Sequence, residues 1–214
     1  RCVRSKLKFM NKYIFNNNKI VIASHNKGKV EEIKILLRPL KIEVLSADDF
    51  NLKEPIEDGF SFEENSLIKS SYVCNRTGIP SLSDDSGICF SDLNNEPGIY
   101  SARWAGKSKD FNLAMFKINE SIKKIKNPNY NCFFVCALSL SWPNGKHVTV
   151  SGKIDGKFSW PPKGNLGFGY DPIFKPLGYN KTFAEMEPEF KHNISHRALA
   201  FKKLIAICFP GLKN

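Results

Sequence analysis

The chain has 214 residues, which is enough for one large domain or two small lobes with a substantial hydrophobic core. Hydrophobic residues make up 42% and charged residues 25%, and this balance excludes an intrinsically disordered chain. No apolar run reaches the roughly 18 residues that cross a bilayer. A collagen repeat and a sustained heptad are also missing from the sequence. We therefore expect a globular protein without a membrane segment.

Basic residues outnumber acidic ones, with 32 Lys and Arg against 21 Asp and Glu and a formal net charge of +11. Such a surplus favours polyanionic partners, which include nucleic acids, anionic lipids and nucleotides, and composition does not choose among them. The six cysteines are dispersed, so we expect buried free thiols in a reducing compartment. Cys132 and Cys136 lie four residues apart in a predicted strand, which argues against a zinc site.

The N-terminal residues are set apart from the fold. Residues 1–9 are basic, but neither an apolar segment nor a small-residue cleavage site follows, so they do not read as a secretory signal. We interpret them as an upstream extension before a start at Met10, and an organelle-targeting segment is the alternative because no acidic residue occurs before Glu31. We expect residues 1–18 to form an N-terminal extension, part of it non-native, and residues 19–214 to form a single two-lobed domain.

The predicted elements alternate between strands and helices in chain order. Strands are predicted at residues 19–24, 42–45, 80–83, 88–90, 131–142 and 146–159. Helices are predicted at residues 29–38, 61–77, 111–125 and 195–208. Residues 84–87 are predicted to be a polar turn, and the Gly- and Pro-rich residues 160–179 a long ordered loop. This order indicates an α/β fold with a mixed sheet.

The first candidate site lies between the first predicted strand and the first helix. Its residues are Ser24, His25, Asn26, Lys27, Gly28 and Lys29. Small and polar residues at a helix N-terminus offer backbone N–H groups and the positive end of the helix dipole to a phosphate. The two lysines add full charges, although the spacing is not that of a Walker motif. The same residues would also suit an ordinary strand-to-helix turn.

The second candidate site is a set of four carboxylates, Glu63, Glu64, Asp84 and Asp85. The two aspartates follow a predicted strand, and open α/β sheets bind their ligands at such strand ends. Carboxylate oxygens suit Mg²⁺, and a carboxylate beside a metal can also orient and deprotonate water. Two structural interpretations stay open, because Glu64 would also cap its helix with Ser61 and the aspartates would also suit a plain turn.

Two further motifs lie in the C-terminal part of the chain. Residues 164–172 place three glycines around Phe168 and Tyr170, so that backbone can approach a flat ligand and either ring can stack on it. Residues 191–197 place His196 and Arg197 in the first turn of a helix capped by Ser195. A structural turn and a capped surface helix with solvated cations are the alternatives to a binding role.

Taken together, these patterns resemble the inosine triphosphate pyrophosphatase family, also called the Ham1-like family. The motifs that carry the resemblance are Ser24-x-Asn26-x-x-Lys29, Phe62-x-Glu64-Asn65 with Lys69, Ser83-Asp-Asp-Ser-Gly87, Pro97-Gly-Ile-Tyr-Ser-Ala-Arg103, Gly167-Phe-Gly-Tyr-Asp-Pro172 and Ser195-His-Arg197. They occur in order from about residue 19 to residue 208. The chain departs from the family pattern at His25, where a smaller residue is expected, and mildly at Trp104.

The resemblance implies a two-lobed α/β fold around a long mixed β-sheet with flanking helices, with a nucleotide cleft between the lobes. It also implies a cytoplasmic homodimer that needs Mg²⁺. Members of this family hydrolyse the triphosphates of inosine, deoxyinosine and xanthosine to the monophosphate and pyrophosphate. They thereby keep deaminated purines out of DNA and RNA.

The family roles carry over to matching positions of this sequence. Asn26 and Lys29, with the backbone of residues 24–29, would hold the triphosphate, and Lys69 would neutralise phosphate charge. Glu64 and Asp85 would bind Mg²⁺ with Asp84 in support, and Asp85 would activate water for attack on the α-phosphorus. The residues expected to hold the base and sugar are Ser86, Phe168, Gly169, Tyr170, Asp171, Lys191, His196 and Arg197.

Two alternative functions are weighed against this interpretation. A basic nucleic-acid-binding module would explain the charge and the interleaved aromatics, but the acidic residues at 63–64 and 84–85 argue against an open binding groove. A related pyrophosphatase of the Maf type would act on other nucleotides, and the glycine-aromatic loop and the Ser-His-Arg motif argue against it. We expect a nucleotide substrate and neither a membrane nor a specific nucleic acid as partner.

Overall fold

The computed structural model describes residues 13–210, so residues 1–12 of the predicted extension and the last four residues lie outside the described part. The strands are β1 (Lys19–Ile22), β2 (Glu43–Ser46), β3 (Ser81–Phe90), β4 (Asn131–Ser141), β5 (His147–Phe158) and β6 (Phe174–Pro176). The helices are α1 (Lys27–Leu37), α2 (Phe62–Thr77), α3 (Ser101–Trp104), α4 (Phe111–Lys123), α5 (Pro188–Ile194) and α6 (His196–Cys208). Within residues 13–210, no helix has the length and apolar character needed to span a membrane.

The six strands form one sheet in the order β2-β1-β3-β4-β5-β6. β1 runs parallel to both β2 and β3, whereas β5 and β6 are antiparallel. The sheet is therefore mixed, and the predicted α/β class is confirmed. β4 and β5 are joined by a tight turn closed by the Trp142 amide on the Lys146 carbonyl at 2.9 Å, as the Pro-Asn-Gly sequence predicts.

The described chain divides into two compact units. Unit 1 contains the chain up to Asp85, Ala137–Ser151 and the chain from Ala198 onward. Its apolar cluster includes Val21, Ala23 and Val73. Unit 2 contains Ser86–Cys136 and Gly152–Arg197. Its larger cluster is built from Phe90, Ile118, Phe134, Phe174 and other buried residues.

Residues 13–18 belong to unit 1, although the sequence interpretation placed them in the extension. The Phe15 amide donates to the Cys208 carbonyl at 2.8 Å, and its ring lies 5.0 Å from that of Phe209. Phe15 is buried, and its burial against the C-terminal part of the chain stabilises the folded state because apolar surface is removed from water. The family resemblance begins at about residue 19, where the domain start was placed, so it does not include Phe15 and did not predict this contact.

The polar turn predicted at residues 84–87 is wrong, since β3 runs without interruption from Ser81 to Phe90. Its pairing with β1 ends at Ile22 opposite Leu82, so Asp84 and Asp85 lie beyond the end of β1 while β3 continues. Polar residues argue against a strand in the local sequence, but here the strand is buried along almost its whole length. The expectation that the aspartates follow the end of their own strand is therefore wrong, since they lie within β3, just beyond the last residue paired with β1.

Three short elements were missed by the sequence interpretation. α3 and α5 are short helices, and β6 lies in the segment predicted to be a loop. β6 is three residues long and pairs with the end of β5, where Phe174 is opposite Phe158. Elements of this length have no hydrophobic periodicity of their own, so only their tertiary partners define them.

The five cysteines described in the structure are buried, and none of them forms a disulfide. Burial raises the pKa of the Cys89 and Cys208 thiols to about 12, because a thiolate loses its hydration in an apolar interior. The expected buried thiols are thus found at these positions.

We predict that these thiols resist a soluble disulfide reagent in the folded protein, since the thiolate is the reacting form. A Cys2→Ser variant removes the cysteine that lies outside the described residues. Titration with Ellman's reagent should then detect almost no thiol in native buffer and all five after unfolding in guanidinium. Rapid modification of the native variant would contradict the burial of these side chains.

Candidate active site

The turn between β1 and α1 is organised by Asn26. Its Oδ1 accepts the Lys29 amide at 3.1 Å as the N-cap of α1, and its own amide donates to Ser24 Oγ at 3.2 Å. The amides of Lys27 and Gly28 precede these bonded positions, in the first turn where a helix leaves its N–H groups without intrahelical partners. The turn therefore presents N–H donors and the positive end of an 11-residue helix to an anion.

The His25 side chain faces the acidic loop of unit 1. Its Nε2 lies 2.7 Å from the Leu52 carbonyl oxygen, and the carboxylates of Asp48 and Glu54 are 3.4 and 3.5 Å from the ring nitrogens. The ring thus anchors the turn to the loop that follows β2. Any contact of His25 with a phosphate would come from its backbone.

Lys29 and Asp84 form an ion pair inside unit 1. Lys29 Nζ is 2.8 Å from Asp84 Oδ1, and the Asp84 side chain is fully buried. The pair connects the first turn of α1 to the part of β3 that extends beyond β1. Asp84 therefore holds the lysine of the phosphate turn in place.

Lys69 lies on the buried face of α2 and contacts two carboxylates. Its Nζ is 3.1 Å from Asp85 Oδ1 and 2.8 Å from Glu57 Oε1. Burial disfavours the ammonium ion, but Asp85 and Glu57 outweigh this effect and raise the pKa of Lys69 above its ordinary value. Lys69 thus stays charged between the two acids.

Asp85 combines a paired oxygen with an unpaired one. Its Oδ1 accepts from Lys69, whereas its buried Oδ2 has no hydrogen-bond partner among the described residues. Burial raises the pKa of Asp85 above its ordinary value, although Lys69 and Lys29 act in the opposite direction. A buried carboxylate oxygen without a partner costs free energy, so it indicates a place for a ligand.

Glu63 and Glu64 are exposed near the start of α2. Glu64 Oε2 accepts the Phe60 amide at 2.7 Å, while Ser61 Oγ caps the Glu64 amide at 3.1 Å. The predicted cap is thus present, with the glutamate bonded to Phe60 instead of Ser61. Within residues 13–210, no three His, Cys, Asp or Glu side chains are grouped to hold a metal ion. The predicted set of Glu64, Asp84 and Asp85 stays a prediction.

Glu57 is a site residue that sequence reasoning missed. It belongs to the acidic loop and precedes Lys69 by 12 positions, a spacing that carries no local signal. The loop is drawn onto α2 because the Gly59 amide donates to Asn65 Oδ1 at 2.9 Å. A Cβ at Gly59 would lie 2.8 Å from Asn65 Oδ1, so this close approach requires glycine. Gly59 was therefore the sequence feature that could have indicated that this loop packs against α2.

In unit 2, the Asp171 carboxylate organises the predicted base-binding loop. Its Oδ2 accepts the Phe168 amide at 2.9 Å and Lys191 Nζ at 2.6 Å. A Cβ at Gly167, where φ is +73°, would collide with the same oxygen. The loop is therefore held in one conformation by a buried ion pair, which is how a binding site is preorganised.

The two aromatic residues of this loop have different environments. Tyr170 is buried, and its hydroxyl donates to the Ser101 carbonyl at 2.8 Å. Its ring also meets Phe111 edge-on at 5.2 Å, so Tyr170 supports the loop and its ring is not exposed for stacking. Burial raises the pKa of the Tyr170 hydroxyl. Phe168 is half-buried, and it is the ring of the two that can stack on a base.

The Ser-His-Arg motif is buried in unit 2, so the alternative of a surface helix with solvated cations is wrong. Arg197 Nη2 donates to Ser86 Oγ at 3.1 Å, and its guanidinium lies 6.0 Å from the Phe168 ring. His196 stacks on Phe134, with ring centroids 4.7 Å apart. Lys191 Nζ lies 4.9 Å from the Phe168 ring. Lys191, Arg197 and Ser86 thus gather with the loop inside one unit.

We predict that Lys191→Met destabilises the fold by about 3 kcal/mol, because it leaves the buried Asp171 carboxylate without its ammonium partner. Urea unfolding monitored by circular dichroism measures this loss. Lys153→Met is the matched control, since the ion pair of Lys153 with Asp155 is about half exposed and should contribute little. Equal effects of the two variants would contradict a structural role for the Lys191–Asp171 pair.

The model of the Ham1 family matches residues 20–207, which is most of the chain. The chain belongs to the Ham1 family. This match includes both the phosphate turn of unit 1 and the glycine-aromatic loop of unit 2. It also argues against the Maf-type alternative.

Two similar curated proteins carry the name dITP/XTP pyrophosphatase. The dITP/XTP pyrophosphatase of Zymomonas mobilis is 48% identical over 191 residues, covering 89% of this chain and 91% of that protein. The dITP/XTP pyrophosphatase of Caulobacter vibrioides is 46% identical, covering 89% and 98%. Among solved structures, a HAM1 protein from Coxiella burnetii aligns with a TM-score of 0.82 at 34% identity, covering 89% and 98% of the two chains.

Proposed function

We propose that this protein hydrolyses deaminated purine nucleoside triphosphates, namely ITP, dITP and XTP, to the monophosphate and pyrophosphate. Such a reaction removes these nucleotides from the pool that supplies DNA and RNA synthesis. The names of its Ham1 relatives support the substrate class. The observation that carries the proposal is the buried Asp85 Oδ2 without a partner, beside Lys69 and close in the fold to the helix N-terminus at Asn26.

The residues of unit 1 fit a divalent cation. Mg²⁺ is bound through one or two carboxylates with water and substrate phosphates completing its shell. Asp85 Oδ2 supplies an oxygen without a competing donor, and Glu57 is the second carboxylate against Lys69. Glu64 stays a candidate ligand, with one oxygen already bonded to the Phe60 amide. When bound, the ion would neutralise phosphate charge and make a bound water more acidic.

Side chains and backbone amides of unit 1 are proposed to bind the phosphates, activate water and neutralise the leaving group. Asn26 and the first-turn amides of α1 hold the phosphates, with the charge of Lys29 beside them. Asp85 orients water and accepts its proton as the water oxygen bonds to the α-phosphorus and the bond to the bridging oxygen breaks. Lys69 offsets negative charge near the departing pyrophosphate, and positioning of this kind accounts for most phosphoryl-transfer catalysis.

Unit 2 is proposed to read the base and sugar. Phe168 offers an aromatic face, and Asp171 fixes its amide and Lys191 in place. Arg197, Ser86 and His196 complete the predicted set. Tyr170 supports the loop through the hydrogen bond of its hydroxyl to the Ser101 carbonyl. The homodimer and the cytoplasmic location that the resemblance implies stay predictions.

Product analysis tests this function directly. Purified protein is incubated with ITP and Mg²⁺, and the products are separated by ion-exchange chromatography. We expect inosine monophosphate and pyrophosphate in equal amounts, because attack falls on the α-phosphorus. Release of orthophosphate with inosine diphosphate, or the absence of turnover for ITP, dITP and XTP alike, would overturn the proposal.

We predict that EDTA stops the hydrolysis and that Mg²⁺ restores it. Glu57→Gln should raise the Mg²⁺ concentration needed for half-maximal rate more than Glu64→Gln, because Glu57 shares the Lys69 ammonium with Asp85. Magnesium titrations of initial rate measure this difference. Restoration by stoichiometric Zn²⁺ alone would instead indicate histidine or cysteine ligands and contradict the carboxylate site.

A further inference from the structure

A cavity lies in unit 2, away from the candidate active site in sequence, and its lining residues have no part in the proposed reaction. Its volume is about 550 Å³. The lining residues are Asn119, Ile122, Lys123, Ile125, Pro128, Tyr130, Phe158 and Trp160. They come from the C-terminal end of α4, the segment that follows it and the end of β5. The cavity is thus built from one unit alone.

Three aromatic rings form a ladder along this cavity. The ring centroids of Tyr130 and Phe158 are 6.4 Å apart with 16° between their planes, and those of Phe158 and Trp160 are 6.1 Å apart with 26°. The outer two side chains remain open to solvent, with Tyr130 46% exposed and Trp160 38% exposed. Large rings usually bury such area, so an exposed ladder indicates a surface on which another flat group stacks.

The backbone of Tyr130 is held in an unfavourable conformation. Its φ is +59°, in the left-handed region that a bulky residue rarely occupies. The Tyr130 amide donates to Asp92 Oδ2 at 2.8 Å, and its carbonyl accepts the Phe158 amide at 2.8 Å. These two bonds keep the strained residue in place and its ring against the ladder. Strain of this kind is concentrated at binding sites.

The charge around the cavity is positive and exposed. The end of α4 and the next residues carry Lys123, Lys124 and Lys126, and the acids nearby are Glu120 on the same helix and Asp92, which accepts the Tyr130 amide. Lys124 and Lys126 are exposed, and the side chain of Lys123 is 62% exposed despite its contact with Glu120. Lys29, Lys69 and Lys191 of the candidate active site are less exposed than Lys124 and Lys126, and each of the three contacts a carboxylate. Exposed aromatic faces and solvated cations therefore occur together at this cavity.

We infer that this cavity and its lysines bind single-stranded nucleic acid without sequence preference. Stacking platforms combined with a basic track are how proteins hold single strands, since every base has a flat face and every linkage carries a phosphate. Tyr130 and Trp160 would stack on bases, and Lys123, Lys124 and Lys126 would contact phosphates. This binding is separate from nucleotide hydrolysis, and it accounts for the aromatic and basic features that the proposed reaction leaves unused.

Fluorescence anisotropy tests the inference. The probe is a labelled oligothymidine of about 16 nucleotides, titrated with the full chain in EDTA. Three phosphate contacts predict that affinity falls on the order of ten-fold between about 50 and 200 mM salt. Loss of one stacked base in Trp160→Leu or Tyr130→Ala should weaken binding roughly 5- to 100-fold. The leucine variant keeps apolar bulk at the ladder, and thermal unfolding confirms that each variant is folded.

Matched variants separate the cavity from general charge and from the active site. Lys124→Ala with Lys126→Ala should weaken binding far more than Lys34→Ala with Lys181→Ala, which removes the same charge from exposed positions elsewhere. Excess ITP should not displace the oligonucleotide. The inference is overturned by absent binding at low salt, by unchanged affinity in both aromatic variants, by equal effects of the two lysine pairs, or by displacement with ITP or thymidine monophosphate.

Discussion

Asp85→Asn should lower the turnover of ITP by roughly 10²- to 10⁴-fold while the protein remains folded. The substitution removes the negative charge that would bind the cation and the group that would accept the proton of water. It nearly preserves shape, and an amide oxygen can still accept from Lys69. Lys69 also keeps its contact with Glu57 at 2.8 Å, so no buried ammonium is left unpaired.

Steady-state kinetics at saturating Mg²⁺ measure the effect, with thermal unfolding as the check on folding. The matched control is Asp155→Asn, a carboxylate of equal size whose side chain is 58% exposed and pairs only with another surface residue. We expect that control to turn over at the rate of the parent. An Asp85→Asn protein that does the same would remove Asp85 from the mechanism.

ITP should be hydrolysed with a kcat/KM up to roughly 10⁴-fold higher than that of ATP. Inosine and xanthosine carry a carbonyl at C6, which accepts a hydrogen bond, whereas adenine carries an amino donor there. The cations gathered at the loop of unit 2, Lys191 and Arg197, donate and cannot accept. A donor facing the amino group of adenine would leave both groups unpaired, and unpaired buried groups reject the wrong base strongly. Guanine shares the C6 carbonyl, so a preference for ITP over GTP must come from its 2-amino group.

The burial of Arg197 decides which variants can test how the base is recognised. Arg197 is 1% exposed, so Arg197→Ala also leaves a cavity, and Arg197→Lys keeps the charge while removing the guanidinium fork. We expect both variants, and His196→Ala, to lower the ratio of ITP to ATP rates more than Lys123→Ala on the exposed end of α4. Values of kcat/KM for ITP, XTP, GTP and ATP give the ratios. Equal values for ITP and ATP in the parent would rule out the base-reading role.

Several features of this protein follow from short stretches of sequence. The cap at Ser61, the tight turn after β4 and the helix from His196 to Cys208 all match the prediction. Each depends on side chains within about four residues of the backbone groups they satisfy, which is why a local pattern is enough to identify it. Motif order along the chain also gave the correct family.

Contacts between distant residues required the tertiary structure. The polar residues at 84–87 read as a turn because local propensity disfavours a strand there, but pairing and burial within the sheet override that preference. Glu57 reaches Lys69 only because the loop before α2 packs onto that helix. Tyr170 read as a stacking ring, and its hydroxyl bond to Ser101, 69 residues away, makes it a support.

The sequence by itself determined the fold class, the approximate ranges of the four longer helices and the types of residue that form the candidate site. The tertiary structure decided which of those side chains meet, which carboxylate oxygen remains without a donor, and which ring remains exposed. Helix periodicity and capping are fixed by neighbours along the chain, whereas an ion pair such as Lys29–Asp84 exists only after packing has closed a long loop. The partners of a buried charge therefore become known with the packing that surrounds it.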